Sequence, residues 1–499
     1  MTTVYLDHQI YSYIKNKGNL DKFKGEAGIQ KIETVNKLFS LLTREKNNLL
    51  IFYSHAHMLD LSSDKSGNQE RLIEDLKLRA EFCNDNYLVF NEKENITNYQ
   101  LAYPEEKFEP YWEDENELDF SNLFDISSFE DSMDSEEFLK LKTQKELLEN
   151  LKFPSLDDLV SDDVKSNEDF QKMKDILGFM NGGNLKDLVE GFTSFSKKFQ
   201  EEKGYYKKLR NVVTSGIEKA KDIEQIDDTK VTKFIKELSS LNLSSNDIEK
   251  DKFVRANLLE YVKEQWQQRN KEKEPTKFDL HYQSYLMLDM WGIEKEKAII
   301  ARNMLHDAQH SFYAGHCEIV VSDDSHFRAK SKLLYKLFDI STQVYSMEEF
   351  INLTYSFELE KLNSLSDFMF RLKNDLKTGL VLKTQEGNSG VTEFQTSMKY
   401  LNYFNRILLI KEGGKEYVVF RHNYKTYLNT LPYKIVQEIT NKVVDLLGIS
   451  SNTLGHFNWE IECNVIQNGN WTGRTWIFGD TELSIQLSPK DGKLQLVIG

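Results

Sequence analysis

Residues 307–324 read DAQHSFYAGHCEIVVSDD. The stretch opens in a region of helical character over 281–315, passes through CEIVV at 317–321, apolar except for Glu318, and closes on Ser322-Asp323-Asp324. A short, mainly apolar, β-branched run between helices fits a buried strand, the kind parallel sheets are made of. Two carboxylates directly after it lie at its carboxyl end, where open α/β sheets bind their ligands.

The same grammar recurs on either side. TVYLD at 3–7 is a short buried strand ending in Asp7, and LLIFY at 49–53 is another, with Ser54 after it. Apolar spacing near 3.6 predicts a helix over 29–44, and further helices are expected around 69–83 and over 325–338, with strands at YLVF (87–90) and TQVYS (342–346). Strand alternating with helix predicts an α/β domain with a parallel sheet flanked by helices. It is built from residues 1–92 and 278–352, because 93–277 reads differently. Between Pro104 and Phe138 there are fourteen acidic residues and one basic residue, Lys107, which predicts a solvated loop. An acidic segment that mimics nucleic acid and covers a basic groove is the alternative. From 139 to about 270 the chain is helical in character. Residues 353–499 predict an α+β domain, with helices at 356–376 and 432–447 and a hairpin at RILLI/YVVFR. Strands are expected at WEIECNVI (459–466), RTWIFG, ELSIQL and KLQLVI. The apolar end LQLVIG predicts a last strand inside a sheet.

Bulk properties narrow the function. With 64 basic against 80 acidic residues the net charge is −16, which excludes a whole-molecule electrostatic grip on nucleic acid but not a local basic groove. Cys83, Cys317 and Cys463 are isolated, so neither a disulfide framework nor a zinc knuckle is expected and a reducing cytoplasm is the natural setting. No basic-then-apolar leader opens the sequence, and no apolar run is long enough to span a membrane.

Four carboxylates fall where the predicted elements end: Asp7 after the first strand, Asp60 a turn into the segment following the second, Asp307 on a helix before CEIVV, and Asp324 after it. Anions packed together need a positive partner. Mg²⁺ or Mn²⁺ takes oxygen ligands, retains water, and activates that water toward a phosphodiester.

VYLD, YSHAHMLDL, DAQHSFYAGHCEIV and VSDD, in that order, resemble the motifs of the PIN-domain nucleases. The resemblance covers about 1–92 and 278–352. It implies that Asp7, Asp60, Asp307 and Asp324 bind metal, with Asp323 auxiliary and Ser322 supporting the turn. It also implies an endoribonuclease, with RNA favoured over DNA; long members with added domains resemble bacterial toxins or antiviral defence effectors. Asp60 stands where the family often has Glu, and 93–277 is a large insertion for the family. His57 and His310, three residues from Asp60 and Asp307, share their helical faces and are candidates for phosphate contact or for tuning the acids. His306 and His316 are expected to cap or pack. Arg328, Lys330 and Lys332 either grip a nucleic-acid backbone or form a solvated helix face. C-terminal aromatic residues such as Tyr400, Tyr403, Phe404 and Trp476 are expected in a core rather than as stacking platforms. A regulatory protein or self-association through the insertion or the C-terminal domain is a further expectation. The contrasting reading is a PIN-like scaffold that binds nucleic acid or protein with weak catalysis.

Overall fold

Val4, Tyr5 and Leu6 are wholly buried because their strand lies in the middle of a sheet covered on both faces. The computed structural model describes residues 1–17, 25–62, 68–108, 273–294, 301–359, 364–385, 389–428, 431–452, 454–467, 470–489 and 492–499, with 152–153, 183–184, 204–219, 247–269 and scattered positions of 155–202. Most of the acidic stretch, from 109 onward, lies outside these residues, as does the Ser/Asn-rich segment 239–246.

Strands β1 (Thr2–Leu6), β2 (Leu49–Ser54), β3 (Asn86–Asn91), β4 (Ile96–Leu101), β5 (Ile319–Val321) and β6 (Gln343–Tyr345) form one sheet in the order β4-β3-β2-β1-β5-β6. All neighbours run parallel except β3 and β4. The chain steps outward from β1 to β2 and β3, then returns to the other side of β1 for β5 and β6. The strand order therefore reverses at β1, which opens a crevice beyond the carboxyl ends of β1 and β5.

Period-two alternation divides the strand residues between two cores. Val4, Leu6, Ile51, Tyr53, Ile319 and Val321 face one side, against α1 (His8–Lys15), α2 (Gly25–Arg44), α4 (Gln69–Cys83) and α11 (Met347–Leu359). Tyr5, Leu50, Phe52 and Val320 face the other, against α8 (Lys277–Met290), α9 (Ala301–Ala314) and α10 (Ser325–Leu337). Each aliphatic side chain buried this way contributes about 1.5–3 kcal/mol. A short helix, α3 (His55–Ser62), follows β2 directly and packs against α9.

The described part of the insertion is mainly helical, with α5 (Glu168–Ile176), α6 (Tyr205–Lys219) and α7 (Asp247–Arg269), and it carries a two-residue antiparallel ladder between Lys152–Phe153 and Gly183–Asn184. It joins the second core through Tyr206, Val254, Leu258 and Val262. Arg210 of α6 reaches Asp289 of α8 at 2.9 Å, and Lys330 of α10 reaches the same carboxylate at 3.2 Å.

The C-terminal region is a seven-stranded antiparallel sheet with helices α12 (Leu365–Thr378), α13 (Tyr433–Leu447) and α14 (Trp459–Gln467). Its strands β7 (Leu380–Gln385), β8 (Ser389–Tyr400), β9 (Phe404–Glu412), β10 (Lys415–Arg421), β11 (Arg474–Phe478), β12 (Thr481–Leu487) and β13 (Leu494–Ile498) stand in the order β11-β12-β13-β10-β9-β8-β7. The β9–β10 turn places Gly413 and Gly414 at φ 56° and 79°, the double left-handed conformation that glycine permits. As expected from LQLVIG, β13 is paired on both sides. Tyr400, Tyr403, Phe404 and Trp476 are buried core residues. The two sheets share one core and are tied by backbone bonds from Tyr427 N to Gly315 O (2.9 Å) and Ser341 N to Lys425 O (2.6 Å).

Three expectations are corrected. WEIECNVI is helix α14, not a strand: Asn458 Oδ1 accepts from Ile461 N at 3.2 Å, and Glu462 reaches back to Asn458 N at 2.8 Å. That local N-terminal cap outweighs the apolar alternation. The helix expected over 356–376 is instead the end of α11 and the separate α12. The sheet also runs past residue 92, because ITNYQL forms the edge strand β4; its mixed polarity suits a strand covered on one side only. Among the described residues no helix is long and apolar enough to cross a membrane.

Candidate functional site

Asp7 follows β1 and is the N-cap of α1, with its backbone N–H donating to Val321 O at 3.0 Å. That bond holds the end of β1 against the end of β5, so the residues after β5 turn over Asp7. Ser322 Oγ donates to Asp7 Oδ2 at 2.6 Å and accepts from the N–H of Asp324 at 3.1 Å. Asp324 caps α10, its Oδ1 accepting from His326 N (2.7 Å) and Phe327 N (2.9 Å). Asp7 Oδ1 and Asp324 Oδ2 accept no hydrogen bond from the described residues.

Asp7 is 6 % exposed. Burial raises its carboxyl above the ordinary range, and the charges of Asp60 and Asp324 add to this; His310 and the Ser322 bond offset part of it.

Asp60 enters from α3 and is held by two imidazoles, with a third beside it. His306 Nδ1 lies 2.7 Å from Oδ1 and His310 Nε2 2.7 Å from Oδ2, while His8 Nδ1 lies 3.2 Å from Oδ2. Burial alone would raise the Asp60 carboxyl; the surrounding imidazoles, with the hydrogen bonds from His310 and His306, outweigh it and hold the group well below the usual carboxylate range. His310 shows the converse. Burial would lower it, but Asp60, and then Asp7, raise it. Its Nδ1 is 2.7 Å from Tyr5 Oη, which is 2.8 Å from Ser54 Oγ, so a hydrogen-bonded chain runs from Asp60 into the core. Desolvation, with the nearby charge of Arg79, pushes His8 down to about 4.

The structure thus brings Asp7, Asp60 and Asp324 together through α1, α3 and α10. Asp307 lies half-buried on α9 between His306 and His310, the two residues that carry this helix onto Asp60. Other candidates are placed differently. Asp323 turns away from Asp7, pairing with Lys31 of α2 and accepting from Met347 N at 3.1 Å, so it anchors α2 and α11. His57 is wholly buried with both ring nitrogens on backbone: Nε2–H donates to Leu6 O at 2.8 Å and Nδ1 accepts from Ser54 N at 3.1 Å. It braces β1 against β2 and has no nitrogen left for a phosphate or a metal. Lys330 is also corrected: it is wholly buried, on Asp289 and over the Tyr285 ring, because it lies on the inward face of α10. Arg328 is half-buried and spends one guanidinium nitrogen on Ser322 O at 2.7 Å, which fixes the turn rather than reaching outward; Lys332 is exposed. His316 packs as expected, its Nδ1 on Phe312 O and Tyr313 O.

His8 and His306, both in contact with Asp60, were not among the functional candidates read from the sequence. The signal for His306 was its i,i+4 spacing to His310, which puts both imidazoles on one helical face. The signal for His8 was its place directly after Asp7.

Among the described residues no group of three or more His, Cys, Asp or Glu side chains is arranged to hold a metal ion. The free oxygens of Asp7 and Asp324 nevertheless suit Mg²⁺ or Mn²⁺, because such ions are commonly held by one or two carboxylates with water completing the shell. Asp60, with both oxygens on imidazole, fits direct ligation poorly. No family model, no curated protein and no solved structure matches the chain.

Proposed function

We propose that the chain is a metal-dependent endonuclease of the PIN type, cleaving RNA. One observation carries this reading: Asp7 and Asp324 stand at the carboxyl ends of adjacent parallel strands, joined through Ser322, each with an oxygen that no described residue bonds. The acids expected from the PIN resemblance lie on the crevice side of such a sheet. In this reading Asp7 and Asp324 hold Mg²⁺ or Mn²⁺, with Asp307 the third carboxylate within the set. When bound there, such an ion would lower the pKa of its water and offset charge on phosphorus. Asp60, fixed by His306 and His310, adds negative potential behind Asp7 and keeps α9 in register with β1. Asp323 and His57 serve the scaffold.

RNA as substrate, and a role as toxin or antiviral defence effector, rest on the resemblance alone. The insertion and the C-terminal domain would supply regulation, through a protein partner or self-association. A reducing cytoplasm suits Cys83, Cys317 and Cys463, which are all buried thiols.

A second reading, a PIN-like scaffold without strong catalysis, is favoured by the saturation of Asp60 by imidazoles. Purified protein offered labelled single-stranded RNA, duplex RNA and DNA, with Mg²⁺, Mn²⁺ or chelator, separates the two. Metal-dependent cleavage of RNA supports the nuclease; binding without cleavage under every metal condition leaves the scaffold.

A further inference from the structure

We propose that His8 is a substrate-contacting residue, donating its Nε2–H to a phosphate oxygen of the bound strand, and that buried Arg79 is the positioning residue that puts the proton on that nitrogen. The proposal rests on the nuclease reading and adds to it a donor that none of the carboxylates can supply.

Arg79 of α4 is 1 % exposed. Its Nη1 donates to Asp75 O at 3.0 Å, its Nη2 lies 2.8 Å from His8 Nδ1, and its guanidinium carbon is 5.0 Å from the centre of the Tyr11 ring. A guanidinium carries donors only, so Nδ1 of His8 is the acceptor in that contact. The single proton of the neutral ring is then on Nε2, which has no hydrogen-bond partner among the described residues. Of the three imidazoles around Asp60, His8 is the most open: its side chain is 37 % exposed, against 18 % for His306 and 2 % for His310. It also adjoins Asp7 in sequence.

Without Arg79 the outcome would reverse. Asp60 Oδ2, 3.2 Å from Nδ1, would draw the proton inward and leave Nε2 a bare lone pair, which repels a phosphate oxygen. Burying a guanidinium is costly, and here its Nε has no partner. Setting the His8 tautomer is what that buried cation accomplishes.

Nitrogen-15 NMR of the full chain labelled at histidine reads the tautomer directly, with the His8 signals assigned by their loss in His8→Gln. The expected result is an Nε2-protonated ring in the wild type and a shift toward Nδ1 protonation in Arg79→Met. An Nδ1-protonated wild-type ring overturns the proposal, and that spectrum decides even if Arg79→Met fails to fold. In cleavage of single-stranded RNA, His8→Ala is expected to lower kcat/KM about tenfold, while His8→Gln, which keeps an N–H donor, stays within about threefold. Undiminished cleavage by His8→Ala overturns this proposal alone. Absence of cleavage by the wild type overturns the nuclease reading, and this one with it.

Discussion

The hydroxyl of Ser322 donates to the carboxylate of Asp7 across 2.6 Å, joining the ends of two strands that lie 315 residues apart in the chain. Both residues are buried, so the bond is shielded from water and binds an ionisable group. Replacing Ser322 with Ala should cost about 1.5–3 kcal/mol, the range for a hydrogen bond to a charged partner. Urea unfolding measures it; a loss below about 0.5 kcal/mol would mean that the clip is not formed.

Asp7→Asn should act in the opposite direction. Burial makes folded Asp7 hold its proton more tightly than the unfolded chain does, so the ionised group opposes folding above its unfolded pKa. Removing the charge should therefore raise the Tm at neutral pH while removing function, the usual exchange at an active site. A lowered Tm would contradict the electrostatics described for this crevice.

Asp289 carries two buried cations, Arg210 and Lys330. Asp289→Asn removes the carboxylate that the two cations share and should cost about 3–5 kcal/mol, whereas Lys330→Met leaves the Arg210 pair intact and should cost about 1 kcal/mol or less. Denaturant midpoints of the two variants test the order. Because α6 is held to α8 by this contact, limited proteolysis of Asp289→Asn should also cut first in the insertion.

Acid should destabilise the protein in two stages. His281 is buried between Tyr427 Oη (3.1 Å) and Ser311 Oγ (3.0 Å), and burial pushes it down to about 3. The unfolded chain thus binds that proton first, and stability falls as pH drops from about 6.5 toward 3. Glu318 follows. Burial alone would raise it, but Lys399 and His422 hold it near about 2, so its contribution is present above about 4.5 and lost as pH falls toward 2. His281→Gln should make the upper stage shallower, since His8 and His316 contribute to it too, and Glu318→Gln should do the same to the lower one, read as unfolding free energy against pH.

Much of the first sheet was legible because TVYLD, LLIFY and CEIVV are short, mainly apolar runs of the kind a doubly covered strand needs. Asp7 and Asp324 could be placed from the same runs, since each follows a strand directly. Asp60 could not be: its environment is made by His8 and His306, which approach from other helices. His57 and Lys330 carried the right chemistry on faces whose orientation the tertiary packing alone determines. Trp459–Gln467 shows the reverse limit, where alternation suggested a strand and a single Asn cap made a helix.

The central claim is that Asp7 and Asp324 together support metal-dependent cleavage. Its most direct test is the single-turnover rate of labelled RNA cleavage in Mg²⁺ by the wild type, Asp7→Asn and Asp324→Asn, with folding checked by Tm. Chelator-sensitive cleavage by the wild type is expected, with a fall of at least about 100-fold in each variant, as for loss of a group that stabilises transition-state charge. Cleavage by a folded Asp7→Asn protein at the wild-type rate would contradict the claim.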